Sequence, residues 1–188
     1  MQLTNTVGIA GYLDVETTGL SPVSDEIVEL ALCLFEFRRE TGEIISIVDE
    51  YVGLRESIKP IPWAASRIHG IYQRDVKGKH LDHGRIEEML QRAEFLVAHN
   101  ASFDRGFMIR LFPYCEQKPW LCSMRGINWK QKGFPSAALQ RLLAAHQINV
   151  QRAHRADDDV QAALKLLAQL DQNGKVYFRE LLEKHRAI

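Results

Sequence analysis

The sequence predicts an α/β fold, a mixed β-sheet covered by helices. Two observations predict it. Three strand-like stretches come first, joined by short links, and beyond residue 80 helical periodicities alternate with short apolar runs. A length of 188 residues suits one domain with a core of ordinary size, and no linker or low-complexity tract divides it.

The first strand runs from Gly8 through Tyr12-Leu13-Asp14-Val15-Glu16 into a turn at Thr17-Thr18-Gly19. Side chains on a strand alternate faces, so Asp14 and Glu16 point the same way, roughly 7 Å apart, and Leu13 and Val15 point into a core. Two neighbouring carboxylates at the end of an apolar strand repel each other and lose hydration, so they need a positive partner. One reading is a pair of exposed acids. The other is a divalent metal held by hard oxygen ligands, favoured by the apolar run before the acids and the turn after them.

Glu26–Phe37 and Glu43–Gly53, broken at Gly42, read as the second and third strands of an antiparallel meander. Pro62 opens a short helix that Gly70 closes; His69 in its last turn suits the helix dipole and receives no further role. His83–Ala93 carries apolar residues at helical spacing, Phe95–His99 is a short buried strand, and Ser102 caps a helix bearing Phe103, Phe107, Met108 and Leu111. Pro119–Cys122 is another short strand. Helices follow at Ser136–Ala145, Arg155–Leu170 and Val176–Arg186, so the expected core is about 8–170 with a C-terminal helix at about 176–186.

The 24 basic and 24 acidic residues cancel overall but not locally. Ten acids between Asp14 and Glu50 face only Arg38 and Arg39, whereas nine basic residues between Arg105 and Arg155 face only Glu116. That pattern suits a metal cluster beside an anion-binding surface, or charge neutralisation across the fold. No apolar run approaches a membrane span, and the start carries no signal-peptide core. Cys33, Cys115 and Cys122 show no C-x-x-C spacing, which argues against a disulfide framework or zinc site and fits a cytoplasmic, reducing setting.

Further acids stand where they can join Asp14 and Glu16. Asp104 lies in the first turn of its helix, a position the dipole favours for any acid. Among Asp157, Asp158 and Asp159, helical geometry puts Asp159 roughly 60° from the centre of the apolar face, Asp157 roughly 100°, and Asp158 nearly opposite. Asp159 is therefore aimed most nearly inward. His154, just before that helix, is a candidate general base because an imidazole titrates near neutrality.

With these five residues the sequence resembles the DEDDh 3′–5′ exonucleases, most of all the proofreading epsilon subunit of bacterial DNA polymerase III and its free-standing relatives. Three motifs carry the resemblance: DVETTGL at 14–20, HNASFD at 99–104 and HRADDD at 154–159. Arg67-Ile68-His69-Gly70-Ile71 resembles a further segment of the family, and Cys122-Ser123 departs from the Asp-Thr found in many relatives. The resemblance implies a ribonuclease-H-like fold around a five-stranded mixed sheet. It implies that Asp14, Glu16, Asp104 and Asp159 hold two divalent cations, Mg²⁺ or Mn²⁺, and that His154 takes the proton of the attacking water. Two such ions suit an in-line displacement that releases nucleoside 5′-monophosphates from a 3′ end.

The resemblance also sets Thr17 and Thr18 against the terminal sugar and Leu20 against the last bases. It counts His99, Asn100 and Phe103 among the substrate-binding residues; Phe103 suits stacking and core packing equally. Arg125, Trp129, Lys130 and Lys132 interleave cations with an aromatic, the pattern that grips a single strand, though a solvated loop with one buried tryptophan fits as well. The expected substrate is a single-stranded or frayed DNA 3′ end, as in proofreading or DNA repair. The rivals are the same chemistry on RNA, which turns on the treatment of the 2′-hydroxyl, and a non-catalytic nucleic-acid-binding module. No long tail follows the last helix, so a free-standing enzyme is expected, with a polymerase partner left to that helix.

Overall fold

Strand β1, Val7–Thr17, is central because both of its faces are apolar until its last residues. In the computed structural model, which describes residues 6–150, 152 and 154–186, β1 pairs antiparallel with β2, Ile27–Arg38, and β2 pairs antiparallel with β3, Ile44–Leu54. The meander forms as expected. On its other side β1 pairs in parallel with β4, Leu96–Ala98, and β4 with β5, Trp120–Cys122, giving the order β3-β2-β1-β4-β5. Nearly every β2 residue is buried, as a strand packed on both faces requires, whereas edge strand β3 is half exposed and carries Asp49 and Glu50.

Short helices α1, Trp63–His69, and α2, Gln73–Val76, follow the meander, and then α3, His83–Arg92, is capped where Asp82 accepts from the Arg85 amide at 3.0 Å. Gly70 ends α1 in the left-handed conformation (φ 71°), and its N–H returns to Ser66 O. Helix α4, Ala101–Leu111, leaves β4 directly. Helix α5, Ser123–Gly126, leaves β5, and α6, Leu139–Ala145, α7, Ala156–Leu167, and α8, Tyr177–Arg186, complete the chain.

The sheet separates two cores. Leu13, Val15, Leu30 and Leu32 pack against Ile86 and Met89 of α3 and Phe107 of α4. Ala10, Tyr12, Cys33 and Phe35 pack on the opposite face against Val160 and Ala163 of α7 and Phe178 of α8. Asp14 and Glu16 share the face of Tyr12, so they emerge under the start of α7, just past the apolar core. Among the described residues no helix is long and apolar enough to cross a membrane.

Several boundaries differ from the expected ones. Helix α6 starts at Leu139 rather than Ser136 because Ala137 O accepts from His99 and the Ala138 amide donates to Ser136 Oγ, which keeps 136–138 extended. Asn100, not Ser102, occupies the N-cap of α4. Helix α7 ends at Leu167, and Leu170 forms a bridge with Val176. The expected span 1–188 includes termini outside the described residues.

Candidate active site

Three elements meet at the C-terminal end of β1. Because β1 and β4 run parallel, the start of α4 falls beside Asp14, and this brings in Asp104. Helix α7 begins over the same strand end and turns Asp159 inward, where it is 6% exposed. Carboxylate oxygens of Asp14, Glu16 and Asp159 lie within 4.8 Å of one another. Asp104 is buried outside that trio, close enough for its charge to act on Asp14.

The electrostatics follow from this crowding. Burial, then the charges of Asp104, Glu16 and Asp159, hold the Asp14 carboxyl well above the usual range. Burial and Asp159 push Glu16 up to about 8, and burial pushes Asp104 up to about 7 despite the amides of Asp104 and Val15 beside it. Asp159 is raised less, by burial, because Gln140 Nε2 donates to it at 2.9 Å and the His154 amide at 3.2 Å. Neither Asp14 nor Glu16 has an ion-pair partner among the described residues. Clustered hard oxygen donors, with Asp14 and Glu16 lacking an ion-pair partner among the described residues, fit a divalent cation.

An apolar pocket of about 320 Å³ opens beside Glu16. The turn Thr17–Leu20 forms one wall, Ala64, Ala65 and Ile68 of α1 another, and Phe103 a third. Thr17 Oγ1 donates to Gly19 O at 2.6 Å and Thr18 Oγ1 accepts from the Glu26 amide at 3.0 Å, so both hydroxyls shape the turn. Leu20 is 84% exposed at the rim, and Phe103 is half-buried with its ring against Phe107. His69 also lines this pocket, although its sequence position suggested only a helix-end charge. It is buried, its Nδ1 accepts from the Ile71 amide at 3.0 Å, and the Thr17 carbonyl acts on the ring's remaining N–H. Burial lowers its pKa, so the neutral ring carries its proton on Nε2.

The RNase_T family model, described as Exonuclease, matches residues 12–167. The chain belongs to this exonuclease family. Its members are the DEDDh 3′–5′ exonucleases that the three motifs point to, and membership implies use of a divalent metal. The chain is 32% identical over 133 residues to the PolC-type DNA polymerase III of Thermotoga petrophila, covering 70% of this chain and 9% of that protein. It is 28% identical over 195 residues to the PolC-type enzyme of Bacillus subtilis, covering 90% and 12%. The chain thus spans about a tenth of the length of these curated relatives. Among solved structures, E. coli Exonuclease I in complex with a dA16 oligonucleotide aligns with a TM-score of 0.65 at 20% identity, covering 86% of this chain and 40% of that one. Exonuclease X in complex with 5′ overhanging duplex DNA aligns at 0.55 and 26% identity, covering 83% and 88%. The Exonuclease I likeness shows the ribonuclease-H-like fold.

Within this exonuclease, Glu29 is a buried acid that the motifs do not mark. It stands opposite Glu16 across the β1–β2 pair and is 0% exposed. Arg155 Nε reaches both of its oxygens, at 3.1 and 3.0 Å, Arg155 Nη2 adds a third bond, and the Ala156 amide donates at 3.0 Å. The start of α7 is therefore fastened to the sheet beside the carboxylates. Glu26 does similar work at the pocket: it pairs with Arg55 at 3.1 Å and accepts from the Ile58 and Lys59 amides at 2.8 and 3.2 Å, tying down the segment that leads to α1.

Other expectations need correction. His99 does not face the pocket: Nε2 donates to Ala137 O at 2.7 Å, and Nδ1 accepts from Ser123 Oγ at 2.9 Å, which leaves that oxygen to accept from Tyr12 Oη at 3.4 Å. Both nitrogens are used, and burial lowers the pKa, so His99 braces the core. Asn100 is absent from the pocket lining and accepts from Ser102 Oγ at 3.4 Å. Trp129 is 2% exposed with its indole N–H on Ser123 O at 2.9 Å, so it cannot stack on a base. Lys132 is engaged by Asp171 at 3.1 Å and Glu180 at 3.0 Å, which leaves Arg125 and Lys130 as separate exposed cations and no aromatic grip. Asp157 and Asp158 pair with Arg152, away from the carboxylate trio. His154 is exposed, with its main chain in the left-handed region (φ 62°).

Proposed function

We propose that this exonuclease removes nucleotides from the 3′ end of a DNA strand, with Asp14, Glu16, Asp104 and Asp159 holding a pair of divalent cations. The observation that carries the reading is the cluster of three carboxylates within 4.8 Å, one of which, Glu16, lines an apolar pocket. The bound cations lower the barrier to attack by water and offset the charge on the departing 3′ oxygen. The terminal base enters between Leu20, Ile68 and Phe103, with the neutral His69 ring lining the same pocket. His154 accepts the proton of the attacking water at a ring nitrogen. The bond from its amide to Asp159 keeps its backbone at the site, with its ring exposed to the water it would deprotonate.

DNA is supported by the PolC-type relatives and by the DNA oligonucleotides in the neighbouring structures. Thr17 and Thr18 act by fixing the turn beneath the terminal sugar. Three free cysteines support a reducing, cytoplasmic setting, and a proofreading or repair role with a polymerase partner follows the relatives.

The test is a 5′-labelled oligonucleotide incubated with Mn²⁺ or Mg²⁺, run on matched DNA and RNA strands. A ladder shortening from the 3′ end, faster on DNA and abolished by chelator or Asp14→Ala, is the expected result. Equal or faster RNA cleavage turns the reading toward RNA. Tight binding without shortening turns it toward a non-catalytic module.

A further inference from the structure

We infer that the flank of α1 carrying Trp63 and Arg67, together with Tyr72 and Arg74, is a second nucleic-acid contact, which stacks an internal base of the substrate strand and holds its phosphates outside the terminal pocket. The inference rests on the exonuclease reading above and adds where the strand runs. The aromatic and cationic platform expected at 125–132 does not form, because Trp129 is a core residue and Lys132 is engaged by acids. The exposed tryptophan is elsewhere. Trp63 is 67% exposed, although burying an indole is among the most favourable things a fold can do with it.

The surroundings of Trp63 name its occupant. Its ring lies 6.3 Å from that of Tyr72, tilted by 43°, and the Arg74 guanidinium lies 5.0 Å from the Tyr72 ring centre. Arg67 follows one helical turn after Trp63 on the same flank, is exposed, and makes no ion pair or hydrogen bond among the described residues. Arg74 has only Asp75, at 3.7 Å, with its side chain 81% exposed. Lys59, Lys77 and Lys79 are exposed in the segments on either side. An open aromatic pair with guanidinium groups on the same segment matches a base beside its phosphates, the arrangement by which single strands are held without regard to sequence. It does not match a hydrophobic protein surface, which would leave these cations desolvated.

Position supplies the second argument. The platform is continuous with the terminal pocket, because Ala64, Ala65 and Ile68 of the same helix line that pocket. A strand that leaves the pocket across α1 meets the platform next. The platform is also held in place: the Ile61 amide donates to Gln73 Oε1 at 3.0 Å, which ties the start of α1 to α2, and the Tyr72 amide donates to Asp75 Oδ2 at 2.8 Å, which caps α2.

The experiment measures binding of single-stranded DNA of two to twelve nucleotides to the full chain in Ca²⁺, by anisotropy and by tryptophan fluorescence. Wild-type fluorescence is quenched on binding, and the quench is lost in Trp63→Phe, which keeps a stacking ring. Trp63→Ala weakens the twelve-mer about tenfold, the effect of one lost stacked base, and the loss shrinks as the strand shortens. Arg67→Ala with Arg74→Ala reduces the slope of log affinity against log salt by about 0.7 for each phosphate released. Two-thirds exposure of Trp63 lets the variants fold, and melting curves check it. Unchanged twelve-mer affinity in Trp63→Ala overturns the inference. Hydrolysis of the 4-nitrophenyl ester of thymidine 5′-monophosphate by the wild-type protein reports on the terminal pocket alone, so an inactive enzyme is told apart from a misplaced strand.

Discussion

Glu29 and Arg155 set the charge that Glu16 feels, and they pull in opposite directions. Glu29 raises the Glu16 pKa and Arg155 lowers it. The two oppose each other while paired, with Glu29 wholly buried and the Arg155 side chain 26% exposed. In Glu29→Gln the guanidinium is uncompensated, so Glu16 ionises at lower pH and the acid limb of the pH–rate profile moves to lower pH. In Arg155→Met the buried carboxylate is uncompensated, so the same limb moves to higher pH. The second variant also costs about 3–5 kcal/mol of stability, the usual penalty for stranding one partner of a buried pair. Urea melts measure the cost, and kcat/KM against pH measures the shifts. Two limbs moving the same way would show that the pair acts on shape and not through charge.

At the scale of elements, the pocket is built from pieces far apart in sequence and joined by Glu26. Its carboxylate holds Arg55 and two amides of the segment before α1, and its backbone closes the Thr18 turn. Glu26→Ala frees one wall from the other, so KM for an oligonucleotide rises about tenfold with a smaller change in kcat. Stability falls by about 1–3 kcal/mol from the hydrogen bonds lost. Steady-state kinetics would count against this linkage if kcat fell and KM held. The sequence made local geometry legible: strand alternation separated Asp14 and Glu16 from Leu13 and Val15, and helical phase picked Asp159 from three consecutive acids. Partnerships across the fold were not legible. Nothing local to Glu29 tells that the register sets it against Glu16, and nothing local to His99 tells that Ser123 and Ala137 take its two nitrogens. The four-residue helices α2 and α5 are too short to leave a period. The segment around Trp129 has none either, so its burial is decided by Phe134 and Tyr177, which arrive from later in the chain.

For the whole molecule, the crowded carboxylates make folding depend on pH in an unusual direction. An ordinary carboxyl titrates near 4, but in the fold Glu16 is held up to about 8 and Asp104 up to about 7, with Asp14 also raised. Between those values the folded protein binds more protons than the unfolded chain, so cation-free stability falls as pH rises. Other groups act elsewhere. His69 and His99 have lowered pKa values, so they favour folding as pH rises toward the ordinary imidazole value near 6.5 and contribute nothing further above it. Asp171, lowered by the Lys175 amide, Lys132 and the Asn173 amide, loses its contribution only as pH falls through the ordinary carboxylate range. The window from about 6.5 to about 8 therefore isolates the acidic cluster. In chelator, the melting temperature should drop across that window, and less steeply in Glu16→Gln. Mn²⁺ at a hundredfold over its dissociation constant should add about 2.7 kcal/mol, and the gain at a fixed concentration should be larger at pH 8 than at pH 6.5 because protons compete for the same oxygens. A melting temperature that stays level in chelator, with Mn²⁺ equally effective at both pH values, would mean that the four carboxylates do not share one site.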